Sequence, residues 1–247
     1  MKAEIIAVGT ELLLGQIVNT NAQALSVKLA ELGIDVYFQT VVGDNAGRLR
    51  QAIEIGRSRA DLLVFTGGLG PTQDDLTKDV LAEYLNRPLL LHDPSMNKIE
   101  QLFSSRGMAM VESNRRQANM IEGSVPLENT AGLAVGNAIE HDGTYYVLLP
   151  GPPREMKTML EGPAADWLRS VVGEAMPLYS RLLKFAGIGE SNLEAKLFDL
   201  IENQQDPTLA PYAKEGEVSV RVSTKAGTKE EADRKIDAAV AAIRERA

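Results

Sequence analysis

Thr66-Gly67-Gly68-Leu69-Gly70-Pro71-Thr72-Gln73-Asp74-Asp75-Leu76-Thr77 follows directly on the apolar run Leu62-Leu63-Val64-Phe65. A short unbroken apolar run between turn signals reads as a strand buried on both faces, the habit of parallel sheets. The glycines after it let backbone N–H groups approach an anion, and the helix expected over 75–85 adds the favourable end of its dipole. The stretch therefore predicts a phosphate cradle at the carboxyl end of a strand, with Gly67, Gly68, Gly70 and Thr72 as contacts. It reads equally as a tight turn in which Asp74 only caps the helix. Asp74 and Asp75 would repel a phosphate unless a divalent cation lay between them, which makes both candidate catalytic and metal-binding groups.

Working outward, strand, turn and helix alternate through the first 170 residues. Strands are expected over 5–8, 36–42 and 145–149, and helices over 21–32, 48–59 and 94–105, with a long helix over 153–172 interrupted near Gly162-Pro163. This alternation predicts βαβ units and a doubly wound, mostly parallel α/β sheet. From about Pro177 the pattern changes to strand (182–186), helix (191–201), two strands (209–213 and 217–224) and a closing helix from Lys229. The division expected is a site-bearing α/β domain over 1–172 and a smaller α+β domain over 173–247.

In an open α/β sheet the carboxyl ends of the strands line one crevice. Glu11 after the first strand, Asp44 after the second and Asp74/Asp75 after the third could converge there as metal ligands, although each alone also reads as a solvated loop acid. Leu149-Pro150-Gly151-Pro152-Pro153-Arg154-Glu155-Met156 again ends a strand and opens a helix, with Arg154 placed to reach an anion or to lie in solvent. Asn114-Arg115-Arg116-Gln117 offers two cations, of which Arg116 reads as a solvated helix face. His92 and His141 read as structural, and the methionines as core filler.

Composition narrows the chemistry. With 44% hydrophobic and 24% charged residues the chain is an ordinary globular one, which excludes disordered and fibrous classes. No apolar run approaches the length of a membrane span and no signal peptide is evident, so a soluble cytoplasmic protein without membrane partners is expected. Cysteine is absent, which removes disulfides, thiolate zinc sites and a cysteine nucleophile, and any metal must sit mainly on oxygen. The net charge of −8 is uneven: residues 1–174 carry 15 Lys+Arg against 22 Asp+Glu, and 175–247 carry 11 against 12. An acidic first part repels polyanions, so nucleic acid is not an expected partner.

Three motifs together carry a family resemblance: Gly9-Thr10-Glu11-Leu12-Leu13-Leu14-Gly15-Gln16 with Asn19-Thr20-Asn21, the glycine stretch from Thr66 to Thr77, and Leu149 to Met156. The chain resembles, over essentially its whole length, the N-terminal half of the CinA (competence/damage-inducible) proteins. The resemblance implies a molybdopterin-binding fold, a KH-type second module and a homodimer. It also implies hydrolysis of ADP-ribose at its pyrophosphate, dependent on a divalent cation (Mg, Mn or Co), to AMP and ribose 5-phosphate. A cation on Asp74 and Asp75, helped by Glu11 or Asp44, would lower the pKa of a bound water. The N–H groups of Gly67 to Gly70, with Thr72, would hold non-bridging oxygens. Thr10 joins the substrate-binding set, Asn19, Asn21 and Arg154 are candidates for ribose or terminal phosphate, and Lys78 and Arg115 would offset charge. Alternatives are a pterin nucleotidyltransferase of the same superfamily and a non-catalytic holder of a pterin or nucleotide. The nicotinamide mononucleotide deamidase domain of longer members is not assigned to this chain. Gly187-Ile188-Gly189-Glu190 is not a GxxG clamp, which argues against RNA binding.

Overall fold

The computed structural model describes residues 1–173, 176–214 and 217–247, and these separate into two compact units with the boundary after Gly173. In the first unit the chain runs β1 (Lys2–Val8), a short α1 (Thr10–Leu13), α2 (Thr20–Glu31), β2 (Asp35–Val42), α3 (Ala46–Arg57), β3 (Leu62–Thr66) and α4 (Thr77–Tyr84). It continues through β4 (Leu89–Leu91), α5 (Asp93–Ser105), a 3-10 turn (Glu112–Ala118), β5 (Asn119–Ile121), β6 (Val125–Leu127), β7 (Gly136–His141) and β8 (Thr144–Leu149). The unit ends with α6 (Pro153–Met159), a π-helical segment (Leu160–Ala164) and α7 (Ala165–Val172).

One six-stranded sheet organises the unit, in the order β2-β1-β3-β8-β7-β6. The pairs β1–β2, β1–β3 and β3–β8 are parallel, and β7 and β6 extend the β8 side antiparallel. The mostly parallel doubly wound sheet expected from the sequence is therefore present, with an antiparallel edge. All five residues of β3 are buried, and Phe65, Ile6, Leu63 and Leu148 are part of one core with Leu49, Ile53, Leu81 and Leu85 of the covering helices. Each such fully buried apolar side chain contributes roughly 1.5–3 kcal/mol of transfer free energy. Glu4, fully buried in β1, is held by a two-pronged contact from Arg59 (Nε to Oε2 and Nη2 to Oε1, both 2.8 Å) and by the Thr40 hydroxyl.

Register decides where the site falls. Val8 pairs with Val42, Ala7 with Thr66, and Thr66 with Leu149, so four strands end at one level. From β1 the chain goes first to β2 on one side and then to β3 on the other, and this reversal opens a crevice above the strand ends.

The helix expected over 153–172 is broken where anticipated. Pro163 lacks an N–H and its ring crowds the carbonyl four residues back, and Gly162 absorbs the break with φ −107° and ψ −111°. The helix expected from Asp75 instead begins at Thr77, leaving Asp74 and Asp75 in the preceding turn. β7, unread in the sequence, returns into β8 through Asp142-Gly143, both at positive φ.

The second unit runs β9 (Leu178–Phe185), α8 (Glu190–Glu202), β10 (Thr208–Lys214), β11 (Glu217–Lys225) and α9 (Lys229–Arg244). Its antiparallel sheet has the order β10-β11-β9. Leu193 and Leu197 of α8 and Ile236, Val240 and Ile243 of α9 share its core with Val220 and Val222. This is the smaller α+β unit expected.

Candidate active site

A cavity of about 520 Å³ opens at the carboxyl ends of β1, β3 and β8. Its floor is the glycine turn. Gly67 has φ +103°, its N–H donates to the Leu149 carbonyl (3.0 Å), and a Cβ there would lie 2.1 Å from the Val8 carbonyl oxygen. Gly68 has φ +69°, and a Cβ there would lie 2.2 Å from the Thr77 hydroxyl. Thr77 holds the turn from below, its hydroxyl donating to the Gly67 carbonyl (2.8 Å) and its N–H to that of Gly68 (3.1 Å). With these carbonyls taken, the N–H groups of Gly68, Leu69 and Gly70 make no hydrogen bond among the described residues. Three donors thus remain for an anion, and that of Gly67 is not one of them.

Asn21 ties the neighbouring strand ends together. Its buried amide donates to the Thr66 hydroxyl (2.9 Å) and the Gly151 carbonyl (2.7 Å), and the Thr66 hydroxyl donates to the Pro150 carbonyl (3.0 Å). Asn21 therefore positions the cavity rim. Asn19 starts α2 by accepting from the Ala22 N–H (3.1 Å), and both asparagines line a side pocket beside Glu11.

Five carboxylates line the cavity: Glu11, Asp44, Asp74, Asp75 and Glu155. Among the described residues no lysine or arginine does so. Asp75 accepts both the N–H (2.9 Å) and the hydroxyl (2.6 Å) of Thr72, so Thr72 braces this acid where a ligand contact was expected. Asp44 accepts from the Thr10 N–H (2.9 Å) and donates its own N–H to the Thr10 hydroxyl (3.1 Å), which occupies Thr10 in the same way. Asp74 is exposed and has no hydrogen bond or ion pair among the described residues. Among those residues no group of three His, Asp or Glu side chains is gathered closely enough to enclose a metal. Scattered single carboxylates suit a magnesium-type cation, which keeps several waters and takes one or two carboxylates plus the phosphates of its ligand. The residues present fit such a cation and not a closed protein cage.

Of the expected cations none is in the lining of this cavity, although Lys78 and Arg116 line a smaller neighbouring pocket with Gly68, Leu69, Gly70 and Asp75. Lys78 sits on the buried face of α4, where its ammonium donates to the carbonyls of Arg116 (3.3 Å), Gln117 (3.2 Å) and Asn119 (2.9 Å). Burial brings its pKa down to about 7, with Asp79 opposing and Arg116 reinforcing the shift. Arg115 pairs with Glu112 (3.4 Å) at the surface. Arg116 is no free solvated face, because it holds the Asp75 carbonyl (3.0 Å) and the Asp79 carboxylate (2.9 Å). Arg154 is exposed and outside the cavity lining, whereas Glu155, one residue on, is within it. Helical rotation by about 100° per residue separates the two.

Sequence reasoning passed over Glu155, Gln117 and Asn129. The signal for Glu155 was present: Pro153 at the helix start puts it in the first turn of α6, above the end of β8. Nothing local marks Gln117 or Asn129.

The sheet order, the glycine turn and the acidic rim define an α/β domain of the molybdopterin-binding type joined to a small KH-type unit. Residues 4–170 match the family described as probable molybdopterin binding domain, and residues 180–247 the damage-inducible protein CinA KH domain. The chain belongs to the CinA family. A "Putative competence-damage inducible protein" of Streptococcus gordonii is 55% identical over 239 residues, which are 96% of this chain and 56% of that protein. Its counterpart in Streptococcus suis is 54% identical over 238 residues, 96% of this chain and 60% of that one. The chain thus spans little more than half the length of these relatives. The crystal structure of CinA from Thermoplasma acidophilum, described as of unknown function, aligns with a TM-score of 0.62 at 30% identity, over 67% of this chain and 98% of that one.

Proposed function

We propose that the first unit hydrolyses the pyrophosphate of ADP-ribose to AMP and ribose 5-phosphate with the help of a divalent cation. The observation that carries this reading is the pairing of three N–H donors unused among the described residues, at Gly68, Leu69 and Gly70, with a rim of five carboxylates, while Lys78 and Arg116 line only a smaller pocket that shares this turn. Backbone donors that are already fixed can stabilise charge on non-bridging phosphate oxygens without reorganising. A rim of carboxylates admits a pyrophosphate only with a cation between them. When bound, that cation supplies charge neutralisation and acidifies its water. Asp74, which has no other partner among the described residues, and Asp75, oriented by Thr72, are the residues that would hold it. The resemblance to CinA proteins supports the choice of ADP-ribose.

The test is incubation with ADP-ribose and Mg²⁺, Mn²⁺ or Co²⁺, with products separated by chromatography. Stoichiometric AMP and ribose 5-phosphate are expected. Intact ADP-ribose with all three metals would overturn the reading. The match to a probable molybdopterin binding domain favours a second reading, adenylyl transfer to a pterin phosphate. That activity would release no AMP from ADP-ribose and would need ATP and an acceptor.

A further inference from the structure

Among the five cavity acids, Glu155 alone is held by a neutral side chain that is itself locked in place. Its Oε2 accepts from the Asn129 amide (2.7 Å). Asn129 is buried, its amide also donates to the Ala134 carbonyl (3.1 Å), and its Oδ1 accepts from the N–H groups of Ala131 (3.1 Å) and Gly132 (2.8 Å). Those donors are backbone N–H groups and the acceptor is a carbonyl, so the amide has one workable orientation. Lys98 secures the same loop by donating to the carbonyls of Asn129 and Gly132. Gly132 makes room for this carboxylate, since a Cβ there would lie 2.0 Å from Oε2. The wall continues to Gln117, whose carbonyl accepts from the Val135 N–H and whose side-chain oxygen is buried without a partner among the described residues.

A carboxylate with one oxygen fixed by a rigid shell and the other without a hydrogen bond among the described residues suits proton transfer, which demands a heavy-atom contact of about 2.6–3.2 Å to the proton's owner. Asp75 is braced through Oδ2 by Thr72, which is exposed where Asn129 is buried, and Asp74 has no side-chain partner among the described residues. We infer that Glu155 is the general base of this site, taking a proton from the attacking water, with Asn129 as its positioning residue. This rests on the hydrolase reading above. In the step, one O–H bond of water breaks and its proton passes to Glu155 Oε1, while the water oxygen bonds to one phosphorus. The bond from that phosphorus to the bridging oxygen breaks, its electron pair stays on that oxygen, and Glu155 later yields the proton to solvent.

The experiment measures ADP-ribose hydrolysis and, by calorimetry, metal-dependent ADP-ribose binding for the full chain and for Glu155→Gln, Glu155→Ala and Asn129→Ala. Glu155→Gln still accepts from Asn129 and should lower kcat by about 100-fold or more without weakening metal-dependent binding. Formate should restore at least about tenfold to Glu155→Ala by standing in for the missing carboxylate. Asn129→Ala should lower kcat by about tenfold with KM unchanged, because it loosens the base and not the substrate. An active wild type whose Glu155→Gln variant stays within about threefold in kcat would overturn the inference and leave the hydrolase reading standing. So would a loss that tracks weakened binding or lowered melting temperature and does not respond to formate. An inactive wild type would overturn both.

Discussion

Gly67 and Gly68 tolerate no side chain, and for different reasons. At Gly67 a methyl group meets backbone, the Val8 carbonyl, which cannot move without shifting β1. At Gly68 it meets the Thr77 hydroxyl, the group that fixes the turn. Both positions also have positive φ. Gly67→Ala should therefore cost more than about 2–3 kcal/mol in urea unfolding, and Gly68→Ala less, because a hydroxyl can rotate away. Equal stability of Gly67→Ala and wild type would contradict the geometry. Asp74→Ala should leave stability within about 0.5 kcal/mol, since an exposed side chain without partners is lost. By removing a cation ligand it should lower hydrolysis by about 100-fold or more, and steady-state rates near wild type would refute that role. Lys78→Met has the opposite signature. Three carbonyls lose their donor, costing about 1–3 kcal/mol or more. Cation-dependent ADP-ribose binding at a temperature below melting should stay near wild type, because the Lys78 ammonium is spent on those three carbonyls and Lys78 is absent from the lining of the larger cavity, bordering only the small pocket it shares with Gly68 to Gly70. Melting curves and calorimetry on the same variant separate the two effects.

The elements with strong periodic or apolar signals were legible in the sequence: β1, β3, β8, α2, α3 and the broken helix after Pro153 all lie close to where their patterns put them. β7 was not, because Gly136-Asn137-Ala138-Ile139-Glu140-His141 lacks alternation, although Asp142-Gly143 beyond it is a strong hairpin signal. The three-residue strands β4, β5 and β6 are too short to carry any period. Of the site, the glycine turn and the acids of three strand ends were readable from their position after strands. Burial of Lys78 and the turning of Arg154 away were not, because both depend on which helix face packs inward. In the second unit, charge couples elements that sequence order separates. Arg246, beyond α9, holds the Asp199 carboxyl of α8 below its ordinary range (Nη2 to Oδ2 2.8 Å). The Thr224 hydroxyl, then Lys235, does the same for Asp206, and Lys235 also lowers Glu231. A carboxyl with a depressed folded-state pKa contributes stability that is complete above its unfolded value near 4 and is lost as pH falls through the folded value. Amide exchange in residues 176–247 should therefore become less protected between about pH 4 and pH 2, after correction for intrinsic rates. Unchanged protection across that interval would show that these pairs contribute nothing.

For the molecule as a whole, charge decides what can approach it. The C-terminal part of the chain is nearly neutral, with 11 Lys+Arg against 12 Asp+Glu in residues 175–247, and Glu190 opens α8 directly after Gly187-Ile188-Gly189. A KH-type unit so constituted should not bind single-stranded RNA, and a low-micromolar, salt-sensitive complex would contradict this. The resemblance to CinA proteins implies a two-fold dimer, the commonest assembly of such chains. Light scattering should then return about twice the 26.8 kDa chain mass, and a value near 26.8 kDa would count against it. The strongest demand falls on the cavity. ADP-ribose brings two phosphate charges into a space lined by five carboxylates with no basic side chain among the lining residues. Like charges about 4 Å apart each cost on the order of 1 kcal/mol in water and 4 kcal/mol near a protein surface, and three N–H donors offset only part of that. Binding, and not turnover alone, should therefore require a divalent cation. Calorimetric titration of ADP-ribose into EDTA-treated protein should give no measurable heat of binding, and added Mg²⁺, Mn²⁺ or Co²⁺ should restore it. Tight binding and full hydrolysis in excess EDTA, with no metal found by elemental analysis, would mean that the backbone donors alone overcome the carboxylate rim. The cradle would then be a simple anion site, with Asp74 and Asp75 no longer required as cation ligands.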